Sequence, residues 1–524
     1  MTAVRRCTDL SSLPSPAPLL SRLSSAASRL LQIRKYGSRK EDGGGLRKGR
    51  SSSASRPGFI DPSSWKHFDS RTVGIPVGAI PRNCMAVLQM LKRKGFEAYL
   101  VGGCVRDLLL KRAPKDFDVI TTASLKEIKK HVFPRCFIVG KRFPICLVRW
   151  RGSLFEVSSF KTNTTQVKGN ENVNCSEETD GHDEVDILRW KDSLRRDFTV
   201  NSLFFNPFNH RVYDYVNGVK DLRKNKVCTV IPAHVSFKED PARILRGLRV
   251  AARLGFQFSS ETSTAIRDLS PSIINIDKTR LAMEMKYMLS YGAAESSIRL
   301  LRKYGLLDIL LPFQAAYLSD QLKGKSSDRG LMLMNLLANL DKFFSADRPC
   351  HCSLCAIEFL NEDVGAPVTY VPEAFGPSGA KVDNLMERTS HLASLVKSSV
   401  DTLTCLNTLK QSVVRYPGAS QFSGLVFVSV REKGRVLGIF NGLDSDLTSY
   451  DERRGMHGID YKLLEDGVTA EVRFVLGKVI MDTMSAESPC ASTDDAAALP
   501  RPAADVTDAN HCLLSTLFHS GESD

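Results

Sequence analysis

In the run KDFDV, Asp116 and Asp118 flank a single phenylalanine. In an extended chain, residues i and i+2 share a face. The two carboxylates therefore converge, and Phe117 points the other way, toward a core. Two acids that close repel unless cations lie between them. Magnesium takes oxygen ligands and joins carboxylates to substrate phosphates. Two such ions about 4 Å apart stabilise both the entering and the leaving oxygen of a phosphoryl displacement. A D-x-D alone also fits a solvated strand end, so the upstream residues matter. In LVGGCVRD, Gly102 and Gly103 close an apolar run and open a helical one. Glycine lets backbone N–H groups come close to a phosphate, and a helix N-terminus favours an anion. Arg106 adds charge one turn on, and Asp107 orients that arginine or the turn. No Gly-Lys-Ser/Thr follows, so this is not a Walker loop. A tight strand–helix turn is the plain alternative for the glycines alone. Together, a glycine turn for phosphates and paired acids for their metals predict a nucleoside triphosphate site. Glu156, in SLFEVSSF, lies in an alternating apolar strand, a poor place for an unpaired acid. It is a candidate third carboxylate, or else an acid paired with Arg149 or Arg151.

A second constellation lies in FKEDPARILRGLRVAARLGF. Asp240 before Pro241 has the form of an N-cap followed by proline at the first helical position. Arg243, Arg246, Arg249 and Arg253 recur at spacings of three, three and four, which makes one basic helical stripe suited to phosphates. Arg249 and Arg253 are candidates to bind RNA, with a solvated helix face as the alternative. Lys141 and Arg142 put charge on a predicted hairpin turn, where they are candidates to touch RNA.

The elements that must hold these residues are legible from periodicity. PRNCMAVLQMLKRKGF has helical spacing. EAYLVGG reads as a strand into a turn, CVRDLLLKR as a helix, DFDVITT as a strand and LKEIKKHVF as a helix. CFIVGKRFPICLVRWRGSLFEVSSF supplies several more strands. Residues 163–186 are acidic and short of apolar anchors, and read as a mobile loop. Strand signals fade after residue 218, and from Asp240 to about Leu311 nearly everything is helical. Met283, Met285 and Met288 fall in one of those helices, as core packing.

LVGGCVRDLLL…PKDFDVITTA, LRRDFTVNSLFFNPFNHRVYDYVNGVKDL and FKEDPARILRGLRVAARLGF together resemble the class II tRNA nucleotidyltransferase and bacterial-type poly(A) polymerase family, over roughly residues 80 to 315. The resemblance implies an α+β fold, a small nucleotidyltransferase head with a mixed β-sheet followed by an all-α neck and body. It implies template-independent addition of nucleotides to an RNA 3′ end. Carried over by motif, Asp116 and Asp118 would bind two Mg²⁺ ions, and Gly102, Gly103, Arg106 and Asp107 would shape the triphosphate loop. Arg195, Arg196, Asp197 and Asn201 would contact sugar and phosphates. Glu239, Asp240 and Arg243 match the family's E-D-x-x-R, whose Asp and Arg read the incoming base, with Arg246 beside them. The turn IVGKRFPICLV resembles the poly(A) branch, although Cys146 and Leu147 depart from its pattern. The implied reaction is AMP addition from ATP, with CCA addition to tRNA as the alternative. An RNA-binding protein that has lost catalysis is the reading from a different class. The acceptor is the 3′ end of an mRNA, rRNA or tRNA.

The rest of the 524 residues sets the context. At 42% hydrophobic and 25% charged, the chain reads as soluble and globular. No apolar run approaches ~18 residues, so no membrane partner is expected. Net charge is +14, unevenly spread. Residues 1–56 hold twelve Lys or Arg against three acids, whereas 485–524 hold one Arg against seven acids. The basic excess favours a polyanion. Residues 1–56, rich in Ser and Arg with LLSRLSSAASRLLQIRKYGS at their centre, read as an organelle presequence, mitochondrial in preference to chloroplast. The predicted order is presequence 1–56, head 80–225 with its loop 163–186, helical neck 226–315, helical body 316–484 and disordered tail 485–524. Thirteen scattered cysteines point to a reducing compartment rather than a disulfide framework. Cys352 and Cys355 resemble half a zinc site without a second half, so helix packing is favoured there. Nothing in the sequence specifies an oligomeric state.

Overall fold

The computed structural model describes residues 62–140, 144–164, 183–323, 331–345, 348–351, 400, 404–416, 421–426, 428, 430–440 and 458–485. The predicted presequence, Lys141 and Arg142, residues 165–182, Cys352 and Cys355, and the tail beyond residue 485 lie outside the described residues.

Eight strands form one mixed sheet: β1 (Lys66–Asp69), β2 (Ala98–Val101), β3 (Val119–Thr121), β4 (Phe137–Val139), β5 (Ile145–Trp150), β6 (Ser153–Ser159), β7 (Phe204–Asn206) and β8 (Arg211–Asp214). Their spatial order is β1-β8-β7-β2-β3-β6-β5-β4. β3 and β6 run parallel, in the register Val119↔Val157, and the other neighbours are antiparallel. β2, β3 and β7 are buried throughout, which is why AYLV and VIT are continuous apolar runs with no alternation. DFDVITT yields a shorter strand than its residues predict: Asp116, Phe117 and Asp118 lie just before β3, outside the strand.

Helix α1 (Arg82–Arg93) buries Cys84, Val87, Leu88 and Leu91, one face at helical spacing, against the sheet core. α2 (Gly103–Leu109) follows β2 directly. On the other sheet face Tyr99, Val101, Ile120, Phe160, Phe204, Tyr213 and Tyr215 cluster under Trp190 of α3 (Glu184–Ser193). Here the acidic segment departs from expectation. Asp183 caps α3 by accepting from Val185 N–H at 3.2 Å, and Asp186 pairs with the buried Arg189 at 2.6 Å. The last acids of 163–186 are thus structural, because Arg189 needs a carboxylate once it is packed on Tyr99 and Tyr213.

The helical part begins with α4 (Ala233–Glu239), α5 (Ala242–Leu254), α6 (Ser260–Leu269), α7 (Lys278–Leu289) and α8 (Ala294–Lys303). α9 (Pro312–Gln321), α10 (Met332–Phe343), α11 (Leu406–Val413), α12 (Val430–Phe440) and α13 (Thr469–Ser485) follow. Gln257 and Phe258 interrupt the predicted helical run with a short parallel pairing to Lys226 and Val227. One apolar core runs from Val73 to Val479, so the helices continue the core of the sheet. Gly247 is what lets α5 dock there: a Cβ at this position would lie 2.7 Å from the Phe198 ring. Among the described residues Cys136 and Cys146 are joined as a disulfide, whereas Cys84, Cys104, Cys228, Cys350 and Cys405 are free thiols. One bonded pair beside five free thiols is not a disulfide framework among the described residues.

Candidate active site

Between the sheet and helices α5 and α7 lies a cavity of about 640 Å³. Asp116, Asp118 and Glu156 all line it. The segment leading into β3 carries both aspartates to the cavity, and Phe117 packs against the main core, as alternation predicts. Asp116 is exposed and pairs with Lys115 at 3.1 Å. Asp118 is partly buried. Burial pushes its pKa up to about 6; the Glu156 and Asp116 charges add to the rise, and Arg196 and Lys115 oppose it. Burial and Asp116 likewise raise Glu156, with Lys115 opposing. Glu156 makes no ion pair with Arg149 or Arg151; in the β5–β6 register it stands opposite Leu147. It does not complete a metal cluster either. Among the described residues, no group of three or more His, Cys, Asp or Glu is placed to hold a metal ion. What remains is a pair of aspartates, which fits magnesium that fills its other positions with phosphate oxygens and water. Their mutual repulsion is the strain a divalent ion would relieve.

The glycine turn forms the adjoining wall. Gly102 has φ 79°, a left-handed conformation that favours glycine. A Cβ there would sit 3.1 Å from Arg196 Nη1. Gly102→Ala therefore both strains the backbone, by about 1–2 kcal/mol, and displaces Arg196. The expected result is a folded protein whose affinity for Mg²⁺-ATP falls roughly tenfold or more, read by equilibrium binding. Arg106 is buried and donates to Asp107 at 2.8 Å and to Asn201 Oδ1 at 2.5 Å. The other oxygen of Asp107 accepts from Arg253 at 3.2 Å. Asp107 thus orients two arginines. Arg196 donates to Asp192 at 2.9 Å and to the Asn201 carbonyl at 3.3 Å. The buried Asp197 accepts from Phe198 N–H at 2.7 Å, from Asn201 Nδ2 at 3.1 Å and from Arg246 at 3.2 Å. Burial opposes its ionisation, but Arg246 and these donors outweigh it and hold the pKa below the usual carboxylate range.

The arginine stripe of α5 turns inward. Arg243, Arg246, Arg249 and Arg253 all line the cavity, and each is matched by an acid: Glu239, Asp197, Glu284 and Asp107 respectively. Arg249 and Arg253, expected as an RNA-contacting face, are therefore part of the same cavity as the aspartates, not a separate outer surface. Arg243 also donates to Ser236 Oγ and to the Arg195 carbonyl, at 2.9 and 3.2 Å; Arg195 lines the cavity too. Glu239 does not line it: half exposed, it holds Arg243 from behind. Asp240 accepts from Ala242 N–H at 3.3 Å, so it does cap α5. Its carboxylate also faces the cavity, bound by Arg280 at 3.2 and 3.1 Å. Against burial, Arg280 holds the Asp240 pKa low.

Besides Lys115, the cavity gains Arg280, Glu284, Tyr287 and Tyr291, which the sequence did not single out. Asp277 starts α7 by accepting from Thr279 and Arg280 N–H. From that cap, spacings of four and three carry Arg280, Glu284 and Tyr287 along one face, and Tyr291 follows just beyond the end of α7. The signal was present as periodicity, but the methionines drew the reading instead. Met285 and Met288 are buried as expected, whereas Met283 is 41% exposed and lines the cavity.

Residues 98–228 match the model for the poly A polymerase head domain. Residues 255–318 match a second family model, described as the probable RNA and SrmB-binding site of polymerase A. The chain is 36% identical over 264 residues to a poly(A) polymerase I from Haemophilus influenzae, covering 50% of this chain and 57% of that protein. It is 32% identical over 228 residues to a CCA-adding enzyme from Geobacillus kaustophilus, covering 43% and 54%. The chain thus spans just over half the length of these curated relatives. A solved Bacillus stearothermophilus CCA-adding enzyme in complex with CTP aligns at TM-score 0.40 and 23% identity, over 77% of this chain and 82% of that one.

Proposed function

We propose that this chain, which belongs through residues 98–228 and 255–318 to the bacterial-type poly(A) polymerase and CCA-adding family, adds AMP from ATP to an RNA 3′ end without a template. The observation that carries the reading is one cavity lined at once by Asp116 and Asp118, the Gly102 turn and the α5 arginines. The RNA 3′ hydroxyl oxygen gives up its proton to water and bonds to the α-phosphorus of ATP, the bond from that phosphorus to the bridging oxygen breaks, and pyrophosphate leaves. Asp116 and Asp118 would hold two Mg²⁺ ions, which supply Lewis-acid stabilisation of the charge that develops. The chain's own residues contribute position and fixed charge. Gly102 opens the backbone to the triphosphate, and Arg196 stands beside it. Asp240 offers an acceptor to an exocyclic amine, and Arg243 and Arg280 offer donors to ring acceptors. Their existing ion pairs keep the groups oriented before a nucleotide arrives.

CCA addition is the second reading, favoured by the 32% identity to CCA-adding enzymes. Purified protein, an unstructured RNA and a tRNA lacking its 3′ end, each with every NTP singly and with CTP and ATP together, separate the two. We expect an A-tract from ATP alone. Three nucleotides added only to tRNA, and only with CTP present, would overturn poly(A) addition. No incorporation from any NTP on either RNA would overturn nucleotidyl transfer altogether and leave an RNA-binding protein on this scaffold. We place the protein in an organelle, the mitochondrion before the chloroplast, on the arginine- and serine-rich residues 1–56; a fluorescent fusion to that segment that stays in the cytosol counts against it.

A further inference from the structure

The reaction proposed above joins two substrates in one cavity, and the walls described so far serve only the nucleotide. The Gly102 turn and Arg196 face its phosphates, and Asp240, Arg243 and Arg280 face its base. Lys115, Tyr287 and Tyr291 line the same cavity. Lys115 precedes Asp116 in the chain, so this group adjoins the carboxylates directly. Its ammonium lies 3.1 Å from Asp116. It also sits 4.9 Å from the Tyr287 ring centre and 5.0 Å from that of Tyr291. The two rings meet edge to face, with centres 5.8 Å apart. Both tyrosines are partly exposed. Arg249 lies 5.4 Å from the Tyr287 ring centre.

Aromatic faces beside cations are the chemistry that holds single-stranded nucleic acid. Bases stack on the rings whatever their identity, and cations meet the phosphodiester. Seven arginines of the cavity are paired to acids that shape it, whereas Lys115 meets Tyr291 and Asp116, the latter itself assigned to the metals. A charge held so close to that carboxylate, on a cradle of two rings, is available to a phosphate arriving from the acceptor. We propose that Lys115, Tyr287 and Tyr291 form the subsite for the 3′-terminal nucleotide of the acceptor RNA, with the base on the tyrosines and the last phosphodiester at Lys115. The site then recognises an unpaired RNA end of any base, and it places the terminal hydroxyl beside Asp116. The inference rests on the nucleotidyl-transfer reading.

The test uses the full chain and two short fluorescent single-stranded RNAs, identical except that one lacks its 3′-terminal base. Wild-type protein is expected to bind the intact RNA roughly tenfold more tightly, the scale of one base stacked on an aromatic ring. A Tyr287→Ala/Tyr291→Ala variant is expected to bind both RNAs alike, with its KM for ATP within about twofold of wild type. Tyr287→Phe/Tyr291→Phe, which keeps both rings, should restore the preference. Equal binding of the two RNAs by wild-type protein overturns the subsite, even should the alanine variant fail to fold. A preference that survives in the alanine variant also overturns it. Incorporation assays are scored separately: RNA discrimination without incorporation would sink the nucleotidyl-transfer reading, whereas incorporation without discrimination would sink only this subsite.

Discussion

Asp118→Asn is expected to stabilise the fold at pH 8 while cutting nucleotide incorporation by roughly 10³-fold or more. The stabilisation follows from the position of Asp118 in the folded state. Burial, with Glu156 and Asp116 close by, lifts its pKa from 3.8 to about 6. An acid whose folded pKa is raised favours the folded state while it is protonated. That contribution is complete below about pH 4 and is lost as pH rises through about 6. The raised pKa corresponds to a penalty of up to about 3 kcal/mol at pH 8 in the absence of metal, reduced by the water that reaches this partly exposed carboxylate. Asparagine removes the charge and with it the penalty. Urea unfolding in EDTA at pH 8 and pH 4.5 should show the variant ahead at pH 8, with a smaller lead at pH 4.5. RNA binding should stay within about twofold of wild type. A variant that incorporates ATP like wild type would refute the role of Asp118, and a variant less stable at pH 8 would refute the electrostatic account. The pairing of gain and loss is what sets Asp118 apart from an ordinary structural acid. A stabilising residue cannot be improved by deleting its charge, but a ligand waiting for a cation can.

How much of this was legible in the sequence depends on how local each relation is. Asp116 and Asp118 are legible because period-two geometry acts over three residues, and both line the cavity although they lie outside β3. The α5 stripe was found because four arginines share a face within one helix. Which way that face turned was a tertiary matter, decided by Gly247 docking on Phe198 and by Glu284 arriving from α7. For the same reason Asp240 read as a cap or as a reader of bases, whereas the fold has it cap α5 and bind Arg280, forty residues on. The acidic residues 183–186 misled for the opposite reason: carboxylates look solvated in a sequence until a buried cation such as Arg189 claims one. Lys115 was passed over because one lysine beside an acid has no period and no motif. Only the packing of α7 brings Tyr287 and Tyr291 over it.

Asp197→Ala is the substitution expected to damage the fold most, by about 3–5 kcal/mol. Asp197 is buried, and its oxygens accept from three separate parts of the chain: Phe198 N–H, the Asn201 amide and the Arg246 guanidinium. Alanine leaves a buried backbone N–H unpaired, at about 1–3 kcal/mol. It also strands Arg246, whose other carboxylate, Glu284, is 3.7 Å away and already engaged by Arg249. Asn201 then loses the partner that aims it. Because Asn201 Oδ1 receives Arg106, the disturbance runs on to the glycine turn, so stability and nucleotide affinity should fall together. Asp197→Asn is the informative control. Its single amide oxygen can still accept from Phe198 N–H, but its NH2 then faces Arg246 and the charge is gone, so it should recover part of the stability and little of the affinity. Thermal unfolding and ATP binding, measured on both variants, distinguish the outcomes. Were the alanine variant to unfold within a degree or two of wild type, the carboxylate would not be the joint between head and α5. Were the asparagine variant to match wild type in both measurements, hydrogen bonding alone would hold that joint and the charge would be incidental.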